Sequence, residues 1–310
     1  MPVNAARLVS KLSMREPSEP VAVVLRPCEE RALAELVKLR QASLDKVYPI
    51  VFDCPGACPQ DELDRIAAGP DGLEGAAAVM LAAAHEPEAP GPILRAGCSI
   101  CTSFTPGSLA DIALELFGHP EWIGVGLSDR LESTLDLDQL GLEPKADDEE
   151  RPSTVEALTR VRARSLEKAL DEMAAARDAG IEGLLDVISG CIRCGNCQRA
   201  CPICFCRRCT FEMPHFEHEP DHYLRLAGRR GASRLPEDVL LFHLTRLAHV
   251  ALSCSACGAC EAVCPQEIPL ARLFAHVARY VRRPFDYEPG RSLDDELPLA
   301  TFEQEELEPR

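Results

Sequence analysis

The sequence is poor in aromatic residues: one Trp, four Tyr and ten Phe in 310 positions. So few rings disfavour a surface built to stack bases. Basic residues are outnumbered as well, 33 Lys and Arg against 50 Asp and Glu, for a formal net charge of −17. A surface that acidic repels phosphate backbones and anionic lipid heads, so no nucleic-acid partner is expected. No apolar run reaches the roughly 18 residues a membrane span needs, and no membrane insertion is expected. Met1 to Lys11 lacks the apolar core of a signal peptide, which points to a cytoplasmic protein. Phosphate-cradling loops are missing too. There is no G-x-x-x-x-G-K-[ST] run, and no G-x-G-x-x-G follows the first candidate strand. No G-x-S-x-G elbow presents a nucleophilic Ser.

Cysteine, by contrast, is abundant: 16 in the chain, 11 of them between Cys191 and Cys264. In a cytoplasmic chain of this length that number points to metal rather than disulfides. A globular balance of 46% hydrophobic and 27% charged residues supplies a core. The length suggests about two domains.

The first part reads as α/β. Val21–Arg26 and Val47–Phe52 are β-rich runs flanking Glu29–Gln41, which has helical spacing. That order predicts a βαβ unit with two neighbouring parallel strands. Ala67–Pro92, rich in Ala, Gly and Pro, reads as poorly structured. Ser108–Phe117 reads as a helix and Trp122–Leu127 as a strand. The charged stretch Lys145–Pro152 marks a boundary. A long helix is then expected, opened by a Ser153–Glu156 capping box and ended at Gly180. Its apolar stripe runs through Val155, Leu158, Val161, Leu166, Ala169, Leu170 and Met173. The domain plan is thus an α/β module over 1–150, a connecting helix over 151–189, an α-helical dicluster module over 190–285 and an acidic tail over 286–310.

Within the third segment the chain repeats itself. Cys191-Ile-Arg-Cys194-Gly-Asn-Cys197-Gln-Arg-Ala-Cys201-Pro202 is matched by Cys254-Ser-Ala-Cys257-Gly-Ala-Cys260-Glu-Ala-Val-Cys264-Pro265. Each half is C-x2-C-x2-C-x3-C-P. Three thiolates of such a run wrap one [4Fe–4S] cube, and the fourth ligates the other cube. The expected ligands are Cys191, Cys194, Cys197 and Cys264 for one cluster. Cys254, Cys257, Cys260 and Cys201 serve the other. Structural zinc favours paired C-x2-C knuckles instead. A helix beginning near Pro236, Glu237 and Asp238 precedes the second half. Its His243 and His249 are read as packing or hydrogen-bonding residues, because four Cys already fill each cube.

Eight cysteines remain. Cys54, Cys58, Cys98 and Cys101 form two pairs in loops and are expected to converge on a third cluster. Cys204, Cys206 and Cys209 follow the first repeat directly. With Cys28 they would complete a fourth cluster; with His215, His218 or His222 they would bind zinc. The plainer reading of those three His is a solvated loop. At least two [4Fe–4S] clusters are expected, and three or four if these further sets also ligate.

The run Cys201-Pro-Ile-Cys204-Phe-Cys206-Arg-Arg-Cys209 resembles the beta subunits of deazaflavin-coupled hydrogenases and formate dehydrogenases. So do Phe242-His243-Leu244-Thr245-Arg246-Leu247-Ala248-His249, Arg26-Pro27-Cys28-Glu29, Asp53-Cys54 and Ala110-Asp111-Ile112. The resemblance implies an iron–sulfur oxidoreductase subunit that is not catalytic alone. Such a subunit relays electrons between the catalytic subunit of a formate dehydrogenase or hydrogenase and a second redox protein, such as a heterodisulfide-reductase-like complex. The alternative it implies is a flavoenzyme, with FAD as cofactor, that reduces a soluble deazaflavin or nicotinamide coenzyme.

Overall fold

A computed structural model describes residues 3–119, 121–135, 141, 143, 150–216, 219–231, 238–298, 300 and 301. The chain opens with an amphipathic helix, α1 (Ala6–Ser13), whose Ala6, Val9 and Ser13 are buried. Strand β1 (Val21–Leu25) leads into α2 (Pro27–Lys38) and then β2 (Val47–Phe52). Pro27 opens α2, where a missing N–H costs nothing. The Glu29 carboxylate accepts the Arg26 N–H at 2.9 Å, completing the turn. Ala32, Leu33 and Leu36 are turned into the core.

β1 and β2 pair in parallel, from Val21 opposite Val47 to Leu25 opposite Val51. This is the expected βαβ unit. Two helices follow, α3 (Gln60–Ala67) and α4 (Gly72–His85), then the short α5 (Ala96–Ser99). The helix α4 replaces the poorly structured stretch expected over Ala67–Pro92. Ala has the highest helix propensity of any residue, and its repetition here outweighs the two glycines.

Strands β3 (Ile112–Glu115) and β4 (Gly124–Leu127) complete a sheet of order β1-β2-β3-β4. β3 runs parallel to β2 and antiparallel to β4. The helix expected over Ser108–Phe117 is therefore a strand. Its residues have neighbours on both edges, and pairing there overrides the local preference of Ala, Leu and Glu.

After α6 (Asp129–Glu132) comes the long α7 (Glu150–Asp178). It begins before the expected cap. Ser153 lies inside the first turn, and Thr154 Oγ1 donates to the Glu150 carbonyl at 3.0 Å. Leu158, Ala169, Leu170 and Met173 of the apolar stripe are buried, and so, unexpectedly, is Arg162. Gly180, at φ 65°, begins the next helix, α8 (Gly180–Val187). The remaining helices are α9 (Asn196–Ala200), α10 (Pro220–Arg230), α11 (Val239–Val250), α12 (Ala259–Ala262) and α13 (Leu270–Arg282).

The expected acidic tail is in part docked. Tyr287 is buried, and its hydroxyl donates to Glu35 on α2 at 2.6 Å. The Gly290 N–H reaches the same carboxylate at 3.0 Å. Residues 302–310 of that tail, positions 145–149 of the expected boundary and the helix-start residues Pro236 and Glu237 lie outside the described residues. Among the described residues, no helix is long and apolar enough to cross a membrane.

Candidate metal centres

The two halves of the repeat adopt the same backbone. Arg193 and Gly195 in the first, and Ala256 and Gly258 in the second, take positive φ between 53° and 74°. These residues occupy identical positions in each C-x2-C-G turn. Left-handed residues alternating with right-handed ones point successive N–H groups into one concavity, which suits an anionic sulfur cluster. The Arg193 N–H lies 3.4 Å from Cys191 Sγ, and the Ala256 N–H bonds Cys254 in the same way. Gly195 and Gly258 then start α9 and α12.

This geometry builds two cavities. Cys191, Cys194, Cys197 and Cys264 line one, with Phe242, His243 and Leu270 in its wall. Cys201, Cys254, Cys257 and Cys260 line the other, with Arg246 and Phe274. The fourth Cys of each run thus faces the other run's cavity. The α11 helix passes both. Its His243 Nε2 sits 3.3 Å from Cys191 Sγ, so the ring touches a cavity cysteine as well as packing.

Arg246 carries the electrostatics. It is 4% exposed, its Nη2 donates to the Cys197 carbonyl at 3.3 Å, and its Nε and Nη1 meet no acceptor. A buried cation with orphaned donors calls for an anion beside it. A thiolate-bound iron–sulfur cube, with acceptor sulfurs on every face, is such an anion, so the residues present fit the group. Burial pushes the Cys260 thiol well above its usual range and Cys254 up to about 11. Cys201 is shifted down instead, by a hydrogen bond from Cys204 and by the Arg246 charge, against its burial.

A third cavity lies at the carboxyl ends of β1 and β2. Cys28, Cys54, Cys98 and Cys101 line it, with Arg26, Arg162 and, from the repeat, Cys257. The Cys54 N–H donates to the Phe104 carbonyl and the Arg95 N–H to the Ala57 carbonyl, both at 2.8 Å, fastening the two cysteine loops together. Membership differs from the expectation at one position. Cys58 is not in this wall; its Sγ packs 3.3 Å from Met80 Sδ. Cys28 stands there instead. Consecutive parallel strands end on the same edge of a sheet, so residues just past β1 and β2 converge. The βαβ reading already contained that signal.

Cys28 is accordingly not gathered with Cys204, Cys206 and Cys209. Cys204 shares its hydrogen bond with Cys201, Cys206 is exposed and Cys209 is half-buried. Of the three His considered for zinc, His222 lies on α10. His218 and the side chain of His215 lie outside the described residues. Among the described residues, no three His, Cys, Asp or Glu close on a single metal ion.

Repeat, turns and crossed cavities together mark a region suited to iron–sulfur clusters, and a family model described as a 4Fe-4S dicluster domain matches residues 187–268. Similarity to whole proteins runs much further. The chain is 26% identical to the F420-dependent formate dehydrogenase subunit beta of Methanocaldococcus jannaschii, across 96% of this chain and 79% of that protein. It is 28% identical to the F420-dependent formate dehydrogenase 1 subunit beta of Methanococcus maripaludis, across 90% of this chain and 75% of that one. The family its motifs resemble, the formate dehydrogenase beta subunits, is therefore the one it is similar to along nearly its whole length.

Proposed function

We propose that this chain is the electron-transfer subunit of a redox complex, working beside the catalytic subunit of a formate dehydrogenase or a related enzyme and a second redox protein. Cys191, Cys194, Cys197 and Cys264 would hold one [4Fe–4S] cluster, and Cys254, Cys257, Cys260 and Cys201 the other. Clusters of this kind supply one-electron transfer without making or breaking bonds to substrate. The observation that carries the reading is the crossed gathering of four cysteines in each of two cavities, with Arg246 buried in the wall of the second.

The chain's own residues set the conditions for that role. The N–H groups of Arg193 and Ala256 point at cysteine sulfurs and favour the thiolate form. Phe242, Leu270 and Phe274 are buried against the cavities and exclude water. Cys194 is exposed, so the first cavity has an edge at the surface where a partner can approach. The net charge of −17 favours a partner with a basic face and speeds encounter at low salt.

Anaerobic isolation with native partners, followed by iron and acid-labile sulfide analysis, tests this. At least about eight irons per chain are expected from two cubes. Cys197→Ala should abolish one cluster's spectrum and stop electron flow while the partner still binds its substrate. Colourless protein without labile sulfide, or undiminished electron flow in Cys197→Ala, refutes the proposal.

A further inference from the structure

We infer that the surface around Cys194 is the docking site for an acidic one-electron carrier protein, held by Arg199, Arg207 and Arg208 about an apolar centre of Ile192 and Phe205. The inference rests on the relay proposed above and names the partner at one of its two ends.

The first cavity is the one that reaches the surface. Cys194 is exposed, whereas Cys201 of the second set is buried and Cys254, Cys257 and Cys260 are half-buried. Ile192 lines the same cavity as Cys194 and is 58% exposed, so it stands at the mouth. The following loop is fastened beside this run at both ends. Cys204 hydrogen-bonds Cys201 at the end of α9, and the Arg193 guanidinium donates to the Phe211 carbonyl at 2.9 Å. Residues 205–208, between these fastenings, are all exposed, Phe205 by 39%.

Charge singles out the same face. Residues 191–211 hold four Arg and no Asp or Glu, in a chain with a net charge of −17. The matching run over 254–264 holds Glu261 and no cation. Arg193 is committed inward, to Asp238 at 2.7 Å. Arg199 is exposed and only 3.7 Å from Glu212, a loose pair. Arg207 and Arg208 are exposed, and among the described residues neither meets a carboxylate. Arg beside exposed aromatic and aliphatic side chains is the composition enriched at protein interfaces. The patch is small, as suits electron-transfer encounters, which bury less than about 1,200 Å².

The sign of the patch fixes the sign of the partner. Screening at physiological salt acts over about 8 Å, so the field at the patch is set by these Arg rather than by distant carboxylates. A carrier with carboxylates around its redox centre is attracted here and repelled by the acidic remainder of the surface, which selects one orientation. That remainder is left for the partner with a basic face, so the two ends of the relay lie on different surfaces. One electron crosses the contact, oxidising one centre and reducing the other, with no bond made or broken.

The test measures binding and uses the full chain purified anaerobically, with an acidic [4Fe–4S] ferredoxin as probe and a basic c-type cytochrome as counter-probe. Calorimetry at low salt should show ferredoxin binding to the wild type. R207E/R208E should raise the Kd by about tenfold or more, and R207Q/R208Q should fall between. K168E/R283E makes the same change in net charge at two other exposed cations and should shift the Kd by less than about twofold. At about 1 M salt, where screening acts over about 3 Å, the variants should converge. The cytochrome should bind R207E/R208E no more weakly than wild type. No ferredoxin binding, an unchanged Kd in R207E/R208E, or equal weakening in K168E/R283E would overturn the docking site and leave the relay in place. Ferredoxin that binds as expected but exchanges no electron with the cluster-loaded chain would count against the relay instead.

Discussion

His243 Nε2 lies 3.3 Å from Cys191 Sγ, and Nδ1 of the same ring has no partner. Burial, then the charges of Arg246 and Arg193, push this imidazole down to about 4. The ring is therefore neutral across the physiological range and can donate its Nε2 proton to the sulfur. A hydrogen bond to a ligating thiolate stabilises the reduced, more negative cluster. His243→Leu should lower that cluster's potential by about 1 kcal/mol per electron, roughly 40 mV. The wild-type potential should not vary with pH through the neutral range, and should rise only as pH falls toward 4, where the ring gains charge. A potentiometric titration followed by electron paramagnetic resonance measures both. A slope near neutrality would contradict the assignment of a neutral ring.

Arg246 should matter more to the second site than to the first. Burial opposes its charge, but the thiols of Cys197, Cys201, Cys204 and Cys260 outweigh burial and hold the guanidinium protonated. Arg246→Met removes a buried cation and leaves the thiolates uncompensated, a change of about 3–5 kcal/mol. Lower cluster occupancy and a lower potential at the second site are expected. Arg246→Lys should recover part of the potential, since the charge returns without the planar fork. Equal behaviour of the Met and Lys variants in the same titration would remove the electrostatic explanation.

A Cβ added to Gly97 would stand 2.6 Å from Gly258 Cα, and this backbone contact predicts an asymmetry between two small substitutions. Gly97→Ala must push the touching backbones apart, at about 1–3 kcal/mol. Gly258→Ala meets the same clash and adds the strain of a φ of 67°, so it should cost more. Denaturant midpoints of the anaerobic protein give the order. Unchanged midpoints in both variants would mean that the two turns are not pressed together.

Glu29 ties the N-terminal segment to the rim of the third cavity. It accepts the Ala5 N–H at 2.9 Å and pairs with the Arg26 guanidinium at 2.7 Å. Burial raises its pKa, but the Arg26 hydrogen bond and charge, with the backbone N–H groups of Ala5 and Arg26, bring it below the usual 4.5. A carboxylate with a depressed folded-state pKa stabilises the protein above its unfolded pKa, and that stability is lost as pH falls through the folded value. Glu29→Gln should therefore cost about 2 kcal/mol at neutral pH. The gap between wild type and variant should close on acidification below about 4.5. Urea unfolding at a series of pH values checks the sign. A gap that widened in acid would reverse it.

Local pattern carried some of this protein a long way. Val21–Leu25 and Val47–Phe52 are strands by their own composition, and the helical spacing between them implied the parallel pairing. Ser108–Phe117 went the other way, because β3 is made by neighbours on both edges rather than by its residues' preferences. In Ala67–Pro92, glycine and proline masked an Ala-rich run that forms α4. Arg162 lies outside the apolar stripe, and its burial follows from α7 packing that face beside the third cavity.

Cysteine spacing alone determined the two tandem sets, because a cube needs three thiolates within one tight turn and that requirement is written in consecutive residues. The partners of Cys28, by contrast, come from loops more than twenty residues away along the chain. Only the tertiary structure decided that Cys28 and not Cys58 faces Cys54, Cys98 and Cys101, and that Gly97 rests on Gly258. The reason is geometric: strand ends converge once the sheet has formed, and two backbones can touch only where both lack a side chain.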